Sequence, residues 1–157
     1  MIDVRDTPLL TDLIQVVAQM DDSQREQWAA FNDAEFNVDD VAAGLHLSAG
    51  PKWVVLHDER PIVVGGFTPV RAGVYRDWMA YAPEAFILHW RSVTKLARTY
   101  VRHMMQHAHR LECVCLASRL GEVDAWYRFV GYSREGDQRR AGVHGEDLAV
   151  YSRVRNS

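Results

Sequence analysis

Two histidines stand one helical turn apart in this sequence, at a spacing that can hold a metal ion. His103 and His107 are four residues apart, and two imidazoles on one helix face can bind zinc together. A zinc site needs further ligands, and the sequence contains no His-Glu-x-x-His motif. Nucleophile-elbow, P-loop and dinucleotide-binding motifs are absent as well. We therefore expect no metal site.

Four basic residues form a stripe along the same predicted helix, spaced four, three and four residues apart. They are Arg91, Lys95, Arg98 and Arg102. Such a stripe can bind an acidic partner, a phosphate-bearing ligand or nucleic acid, or it can face solvent. The formal net charge of −3 and the lack of an accompanying aromatic platform argue against nucleic acid. The pattern therefore favours a solvated helix face.

Length and composition indicate one compact domain. A chain of 157 residues that is 48% hydrophobic suits a single core, so we interpret residues 1–157 as one domain. No apolar run is long enough to span a bilayer, and the start of the sequence lacks the features of a signal peptide. Cys113 and Cys115 are poorly placed for an ordinary disulfide and are expected to be small buried residues.

The residues that could do chemistry must be positioned by alternating strands and helices. The predicted strands are Ile2–Arg5, Trp53–Leu56, Ile62–Phe67, Val74–Ala82, Leu111–Ala117, Tyr132–Arg139 and Leu148–Val154. The predicted helices begin at Thr7-Pro8 and at Asp21–Ser23, and continue with Val38–Leu47, Arg91 or Ser92 to about His109, and Gly121–Val130. A loop is expected after Pro83. The three strands between residues 53 and 82 indicate an antiparallel meander.

The five tryptophans are many for a chain of this size. They are Trp28, Trp53, Trp78, Trp90 and Trp126. Most are expected in the core, although a surplus of large aromatic side chains is also typical of a protein–protein surface.

The order of these elements resembles that of the GNAT superfamily of acetyl-CoA-dependent N-acetyltransferases. The segment Ala125–Tyr132 is similar to the superfamily's alanine, tyrosine, glycine and aromatic signature. The segments Glu135–Arg140 and Gly145–Arg153 resemble a bacteriophage-encoded branch that includes an internal-virion-protein assembly factor of short-tailed phages. The resemblance implies an α/β fold, a GNAT-like mixed, mostly antiparallel twisted sheet with helices on both faces. It also implies a cleft where the strands before and after the long helix splay apart.

The superfamily holds the pyrophosphate of its cofactor in a glycine-rich turn before the long helix, and this turn is missing here. The chain has no glycine between Gly73 and Gly121. The resemblance implies that Arg91 and the N–H groups of Ser92, Val93 and Thr94 would bind the phosphates. The bulk of Val93 and Thr94 works against close approach of a cofactor. An ordinary capped helix start explains the same residues.

The resemblance also implies two catalytic candidates. Tyr127 matches the position of a general acid that protonates the leaving thiolate, a role that suits an ordinary tyrosine pKa near 10. Asp77 is an acidic residue within a central strand, and it could deprotonate an amine directly or through water. The alternatives are aromatic packing for Tyr127 and an ion pair with a neighbouring arginine for Asp77.

Because the cofactor turn is degenerate, the preferred hypothesis is a phage-type, non-catalytic virion or assembly protein. A fold can persist after its catalytic activity is lost. That function implies no cofactor, binding to other virion or assembly proteins or to further copies of the chain, no membrane, and a place in the host cytoplasm or the virion. The alternative is an N-acetyltransferase that uses acetyl-CoA to acetylate an amine. A small regulatory or anti-host protein that binds a bacterial target is a third hypothesis.

Overall fold

The structure, a computed structural model, describes residues 1–156, and within them it contains seven strands and six helices. The strands are β1 (Ile2–Arg5), β2 (Lys52–His57), β3 (Arg60–Arg71), β4 (Val74–Tyr81), β5 (Arg110–Leu116), β6 (Ser133–Gln138) and β7 (Leu148–Val154). The helices are α1 (Leu10–Ala18), α2 (Asp22–Ala29), α3 (Val38–Leu47), α4 (Glu84–Leu88), α5 (Trp90–Met104) and α6 (Leu120–Val130). A 3₁₀ turn precedes α6 at Ala117–Arg119.

All seven strands belong to one mixed sheet in the order β1-β2-β3-β4-β5-β7-β6. Four neighbouring pairs are antiparallel: β1 with β2, β2 with β3, β5 with β7, and β6 with β7. β4 and β5 are parallel, with residues 74–76 opposite residues 110–112. A parallel pair needs a long crossover, and α5 lies in the segment that supplies it. The predicted α/β fold with a mixed, mostly antiparallel sheet is confirmed.

The chain divides into two compact units, and the first consists of Met1–Arg25, Glu35–Thr68 and Asp77–Val93. Within it α1 packs against α3. The side chains that it buries completely include Leu13, Val16, Val17, Val54, Val55, Ile62, Val63 and Val64. Successive residues of β2 and β3 are buried, so these strands read as continuous apolar runs instead of alternating patterns.

The second unit consists of Glu26–Ala34, Pro69–Arg76 and the described chain from Thr94 onward. Its β5 buries both cysteines as free thiols, as predicted, and burial raises the pKa of Cys115 to about 11. α6 ends at Gly131, whose φ of 120° favours glycine and confirms the predicted helix end. The single-domain organisation stays a prediction.

The start of α1 differs from the predicted start. The helix begins at Leu10 instead of Pro8, because the Asp12 carboxylate accepts a hydrogen bond of 2.7 Å from the Leu9 N–H and caps the helix there. The same carboxylate binds the Arg5 guanidinium at 2.9 and 3.0 Å. A side chain inside the helix therefore sets its first residue.

The region around the long helix also departs from the sequence-based expectation. Residues 84–88 form α4, where a loop was predicted after Pro83. α5 ends at Met104, and residues 105–107 form a turn, so the helix is shorter than predicted. None of the described helices has both the length and the apolar character that crossing a membrane requires.

Two adjacent glycines in β3 leave room for two tryptophan rings of the first unit. A Cβ at Gly65 would fall well inside contact distance of three ring atoms of Trp53, the cross-strand neighbour in β2. A Cβ at Gly66 would lie 2.7 Å from Cζ2 of Trp78 in β4. Since side chains alternate between the faces of a strand, the two rings pack on opposite faces of β3. The glycine pair is therefore required for close approach of large rings.

Candidate functional site

The N-terminal end of α5, in the first unit, offers main-chain amides. His89 ends α4 by donating its N–H to the carbonyl of Ala85 (3.1 Å), and its own carbonyl accepts from the Val93 N–H (3.0 Å). In a helix that begins at Trp90, the amides of residues 90–92 have no acceptor within the helix. The first turn holds no acidic residue. The positive end of the helix dipole can therefore attract an anion.

The four residues predicted to hold a cofactor divide into two pairs. Arg91 and Ser92 are exposed. Val93 and Thr94 are 0% and 4% exposed, because they lie on the buried face of α5. The Thr94 hydroxyl accepts a hydrogen bond of 3.0 Å from Nε1 of Trp126. The amides that remain for an anion begin earlier in the helix than predicted, and the cofactor role of these residues stays a prediction.

Exposed apolar side chains neighbour this helix end. Ile87, Leu88 and Trp90 are 74%, 65% and 49% exposed, and the Arg91 guanidinium carbon lies 5.4 Å from the centroid of the Trp90 ring. Among the five tryptophans only Trp53 is buried, and the others are half-buried or exposed. The prediction that most tryptophans are core residues is therefore wrong.

Within the first unit, the Gln24 side chain hydrogen-bonds to the main chain at the last residue of β4. Its side-chain nitrogen donates to the Tyr81 carbonyl (2.8 Å), and its side-chain oxygen accepts from the Tyr81 N–H (3.0 Å). The next N–H, of Ala82, donates to the Ile62 carbonyl of β3 (2.9 Å). Main-chain groups alternate in direction along a strand, so those of Tyr81 point away from β3.

Asp77, the predicted general base, is half-buried in β4. It precedes Met79 by two residues and Tyr81 by four, so these three residues direct their main-chain groups to the same edge of β4. At the other end of this edge, residues 74–76 form the ladder to β5. Asp77 therefore lies beside a short strand segment bounded by the ladder on one side and by Gln24 on the other. Its role as a base stays a prediction.

Tyr127, the predicted general acid, is half-buried on α6 in the second unit. Its ring centroid lies 4.8 Å from that of Tyr151, 5.8 Å from Trp126 and 6.4 Å from Tyr132. The aromatic packing expected as the alternative is therefore present. Packing of the ring still allows the hydroxyl to act, so the catalytic role of Tyr127 stays a prediction.

Tyr151 carries a buried hydroxyl that sequence reasoning missed. Its side chain is 0% exposed, and its hydroxyl donates to Oδ1 of Asp124 at 2.5 Å. Oδ2 of Asp124 accepts from Nε of Arg128 at 2.9 Å. Burial, and then the bond to Asp124, raise the pKa of Tyr151, while the bonds from Tyr151 and Arg128 lower the pKa of Asp124. Tyr151 therefore stays protonated and Asp124 stays ionised at neutral pH.

Glu112 centres a second cluster in the second unit that sequence reasoning missed. Its carboxylate accepts from Arg76 at 2.9 Å and from Arg110 at 3.1 Å, and Arg110 also binds Glu135 at 2.6 Å. Burial acts to raise the pKa of Glu112, but the bonds from the two arginines outweigh it and lower that pKa. Arg110 and Glu112 are two residues apart in one strand, so the sequence alone could place them on the same face. The contact of Arg76 with Glu112 depends on the register between β4 and β5, which the sequence does not show.

The Glu112 cluster lines an open groove of about 450 Å³ in the second unit. Beside the four charged residues of the cluster, its lining consists of Val70, Arg71, Val114, Gly136, Asp137, Gln138 and Val150. Guanidinium and carboxylate groups are interspersed along it, so the groove has no single sign of charge.

Replacing Glu112 by Gln is expected to lower the free energy of unfolding at pH 7 by about 1–2 kcal/mol, because Arg76 and Arg110 lose a charged acceptor. The loss is not larger because Arg76 is half exposed and its ion pair is weakened by solvent. The folded-state pKa of Glu112 is below its unfolded value of about 4.5, so its contribution is complete above that value. It disappears as the pH falls through the folded-state pKa. Urea unfolding between pH 3 and 7 measures this.

Glu135→Gln is the matched control for this substitution. Glu135 binds Arg110 but is 48% exposed, so its loss is expected to cost less than about 0.5 kcal/mol. Equal stability losses in the two variants, or a loss for Glu112→Gln that does not shrink toward pH 3, would contradict the assignment of Glu112 as the centre of the cluster.

Two sequence patterns remain, the histidine pair and the basic stripe. The imidazole rings of His103 and His107 lie 5.4 Å apart, and residues 1–156 contain no group of three side chains suited to bind a metal ion. Each residue of the basic stripe, Arg91, Lys95, Arg98 and Arg102, is exposed, which confirms the predicted solvated face.

Comparison with solved structures identifies the fold over nearly the whole chain. The ribosomal-protein-alanine N-acetyltransferase from Brucella melitensis matches with a TM-score of 0.75 at 15% identity, covering 98% of this chain and 99% of that one. A GNAT-family acetyltransferase from Bacillus anthracis matches with a TM-score of 0.73 at 13% identity, covering 98% and 94%. AAC(6')-Ib, in complex with ribostamycin and coenzyme A, matches with a TM-score of 0.70 at 17% identity, covering 98% and 93%. No family model and no curated protein matches the sequence.

These likenesses show the GNAT fold, and they correct the preferred functional hypothesis. The structures that share the fold include a protein named as an N-acetyltransferase and one named as a GNAT-family acetyltransferase, which favours the enzyme alternative over a non-catalytic virion or assembly protein. They give no support to the bacteriophage branch. The missing glycines do not exclude an anion site, because a helix N-terminus offers amides to an anion without them.

Proposed function

We propose that this protein is an N-acetyltransferase that uses acetyl-CoA to acetylate an amine. The position of Tyr127 carries the proposal. It lies four residues before Gly131 on α6, the spacing of the superfamily signature that its segment resembles, and the residue is half-buried. The match to acetyltransferases over the length of the chain supports the same conclusion.

The chemistry of the donor groups at the α5 N-terminus suits the cofactor pyrophosphate. The amides of Trp90, Arg91 and Ser92 and the Arg91 guanidinium are all donors, and the first turn contains no competing carboxylate. These groups would hold the pyrophosphate. The exposed ring of Trp90 occupies space beside these donors that a cofactor would need, so binding is expected to be weaker than in a glycine-rich turn.

The edge of β4 supplies a second place for the cofactor. An extended chain can add to a strand edge through main-chain hydrogen bonds, and the groups of Met79 face the edge that Gln24 closes at Tyr81. Met79 would thus hold the amide-containing arm of the cofactor. Gln24 marks the end of this segment, because it already occupies both main-chain groups of Tyr81.

Acetyl-CoA, when bound, supplies an acetyl group activated as a thioester. Asp77 is proposed to take a proton from the acceptor amine, directly or through a water molecule, so that the nitrogen lone pair is available. Tyr127 is proposed to hold a proton on its hydroxyl and to give it to the leaving sulfur. A tyrosine can fill this role because, with a usual pKa of about 10, it still carries its proton at neutral pH.

Acetyl-CoA is expected to bind the purified protein with micromolar affinity, about −8 kcal/mol, in isothermal titration calorimetry. Arg91→Ala is expected to weaken binding about tenfold, because it removes a charged donor beside the helix N-terminus. Arg98→Ala is the matched control, since Arg98 lies on the same exposed stripe nearly two turns further along α5. No heat of binding at millimolar acetyl-CoA would contradict the proposed function.

A further inference from the structure

Tyr151 and Asp124 form a polar contact directly beside the proposed catalytic tyrosine. Asp124 and Tyr127 are three residues apart on α6, so their side chains project from the same side of the helix. Tyr151, from β7, places its ring 4.8 Å from the ring of Tyr127 and its hydroxyl on the carboxylate of Asp124. One β7 side chain therefore contacts both residues of α6.

A buried tyrosine hydroxyl needs a hydrogen-bond partner in any protein, and a neutral acceptor would be sufficient. Here the acceptor is an ionised carboxylate at 2.5 Å, which makes the bond charge-assisted and stronger than a neutral one. Arg128 holds the second oxygen of the same carboxylate. Asp124 is thus fixed from two directions, and with it the plane of the Tyr151 ring.

In the Tyr151–Asp124 contact, Tyr151 stays protonated and Asp124 stays ionised around neutral pH. Burial and Asp124 raise the pKa of Tyr151, and the bonds from Tyr151 and Arg128 lower the pKa of Asp124. Tyr151 does not take over the proton transfer, because its hydroxyl keeps its proton and donates it in the hydrogen bond to the Asp124 carboxylate. The ring against which Tyr127 packs is therefore fixed in position and chemically inert.

We propose that Tyr151 and Asp124 are positioning residues, which hold the ring of Tyr127 at the angle from which its hydroxyl donates a proton. The inference rests on the proposed acetyltransferase function. Tyr127 also lies 6.4 Å from Tyr132, so its ring stands between two other tyrosines. Loss of the Tyr151–Asp124 bond would remove the hydrogen bond that anchors the Tyr151 ring and would widen the range of Tyr127 orientations. Misplacement of a catalytic group by about 1 Å is enough to slow a reaction.

Tyr151→Phe tests this, because it removes the hydroxyl and keeps the ring. With acetyl-CoA and an alanine-terminated peptide or ribostamycin as the acceptor, kcat is expected to fall about tenfold while the KM for acetyl-CoA stays unchanged. Asp124→Asn keeps an acceptor for the hydroxyl and is expected to retain kcat within about threefold. Asp124→Leu removes the acceptor and is expected to match Tyr151→Phe. Tyr100→Phe, on α5, controls for loss of a tyrosine hydroxyl elsewhere.

The decisive measurement is the same change in a Tyr127→Phe background. If Tyr151 acts through Tyr127, adding Tyr151→Phe to Tyr127→Phe produces no further loss of kcat. Equal losses in both backgrounds, or an unchanged kcat in Tyr151→Phe alone, would overturn the positioning role and leave the acetyltransferase function intact. A wild-type protein that transfers no acetyl group to either acceptor would overturn the proposed function itself, and the positioning role with it.

Discussion

Tyr127→Phe is expected to lower kcat for acetyl transfer by about 10²-fold or more while the protein remains folded. The substitution removes one hydroxyl and keeps the ring that packs against Tyr151 and Trp126. The KM for acetyl-CoA is expected to change little, because the hydroxyl acts on the leaving sulfur and not on the bound cofactor. Steady-state release of free thiol from acetyl-CoA, with an amine acceptor present, measures both quantities.

The interpretation of this result depends on two controls. Circular dichroism and the midpoint of urea unfolding must match those of the unmodified protein, which shows that the aromatic packing survives. Tyr100→Phe loses a hydroxyl on a different helix and is expected to keep its activity. A Tyr127→Phe protein with full activity would rule out this residue as the acid.

Gly65→Ala is expected to lower the free energy of unfolding by about 3 kcal/mol, the upper end for overpacking a core. The added methyl group would occupy the place of the Trp53 ring. Trp53 is 2% exposed, so its ring cannot move into solvent to make room. The backbone of β3 or β2 must shift instead, and their ladder loses hydrogen-bond geometry. Urea unfolding followed by tryptophan fluorescence measures the effect.

Gly44→Ala is the matched control for a glycine-to-alanine change. Gly44 lies within α3, and a Cβ there meets no atom within 4 Å. Alanine favours a helix interior over glycine, so this variant is expected to gain about 0.5–1 kcal/mol. Opposite signs at the two positions would identify ring packing as the cause. A Gly65→Ala protein of unchanged stability would mean that Trp53 does not pack on this glycine.

Much of the fold could be predicted because local sequence and tertiary environment agree. β7 has the predicted bounds, Leu148–Val154, because an apolar run follows a glycine-rich turn. α6 ends where Gly131 permits a positive φ. The packing of Trp53 and Trp78 on Gly65 and Gly66 became visible only in the structure, because it depends on which strands are neighbours.

The sites were harder to predict, because their geometry depends on contacts between distant positions. Gln24 reaches the main chain of Tyr81 across 57 residues, and no local pattern marks either residue. Glu112 and Arg76 meet through strand register. Tyr151 finds Asp124 only after α6 packs on the sheet. α4 was missed because five residues are too few to show helical periodicity.

β6 is one of the two edge strands of the sheet, and its sequence opposes pairing with another copy of the chain. Its ladder to β7 is interrupted between Arg134 and Gly136, and Arg134 is paired with Asp137 along the strand. All six of its residues are exposed, and three of them are charged. A second copy that approached to extend the sheet would meet a kinked, charged border on which a regular ladder cannot form. This edge therefore opposes the strand-by-strand growth that leads to fibrils.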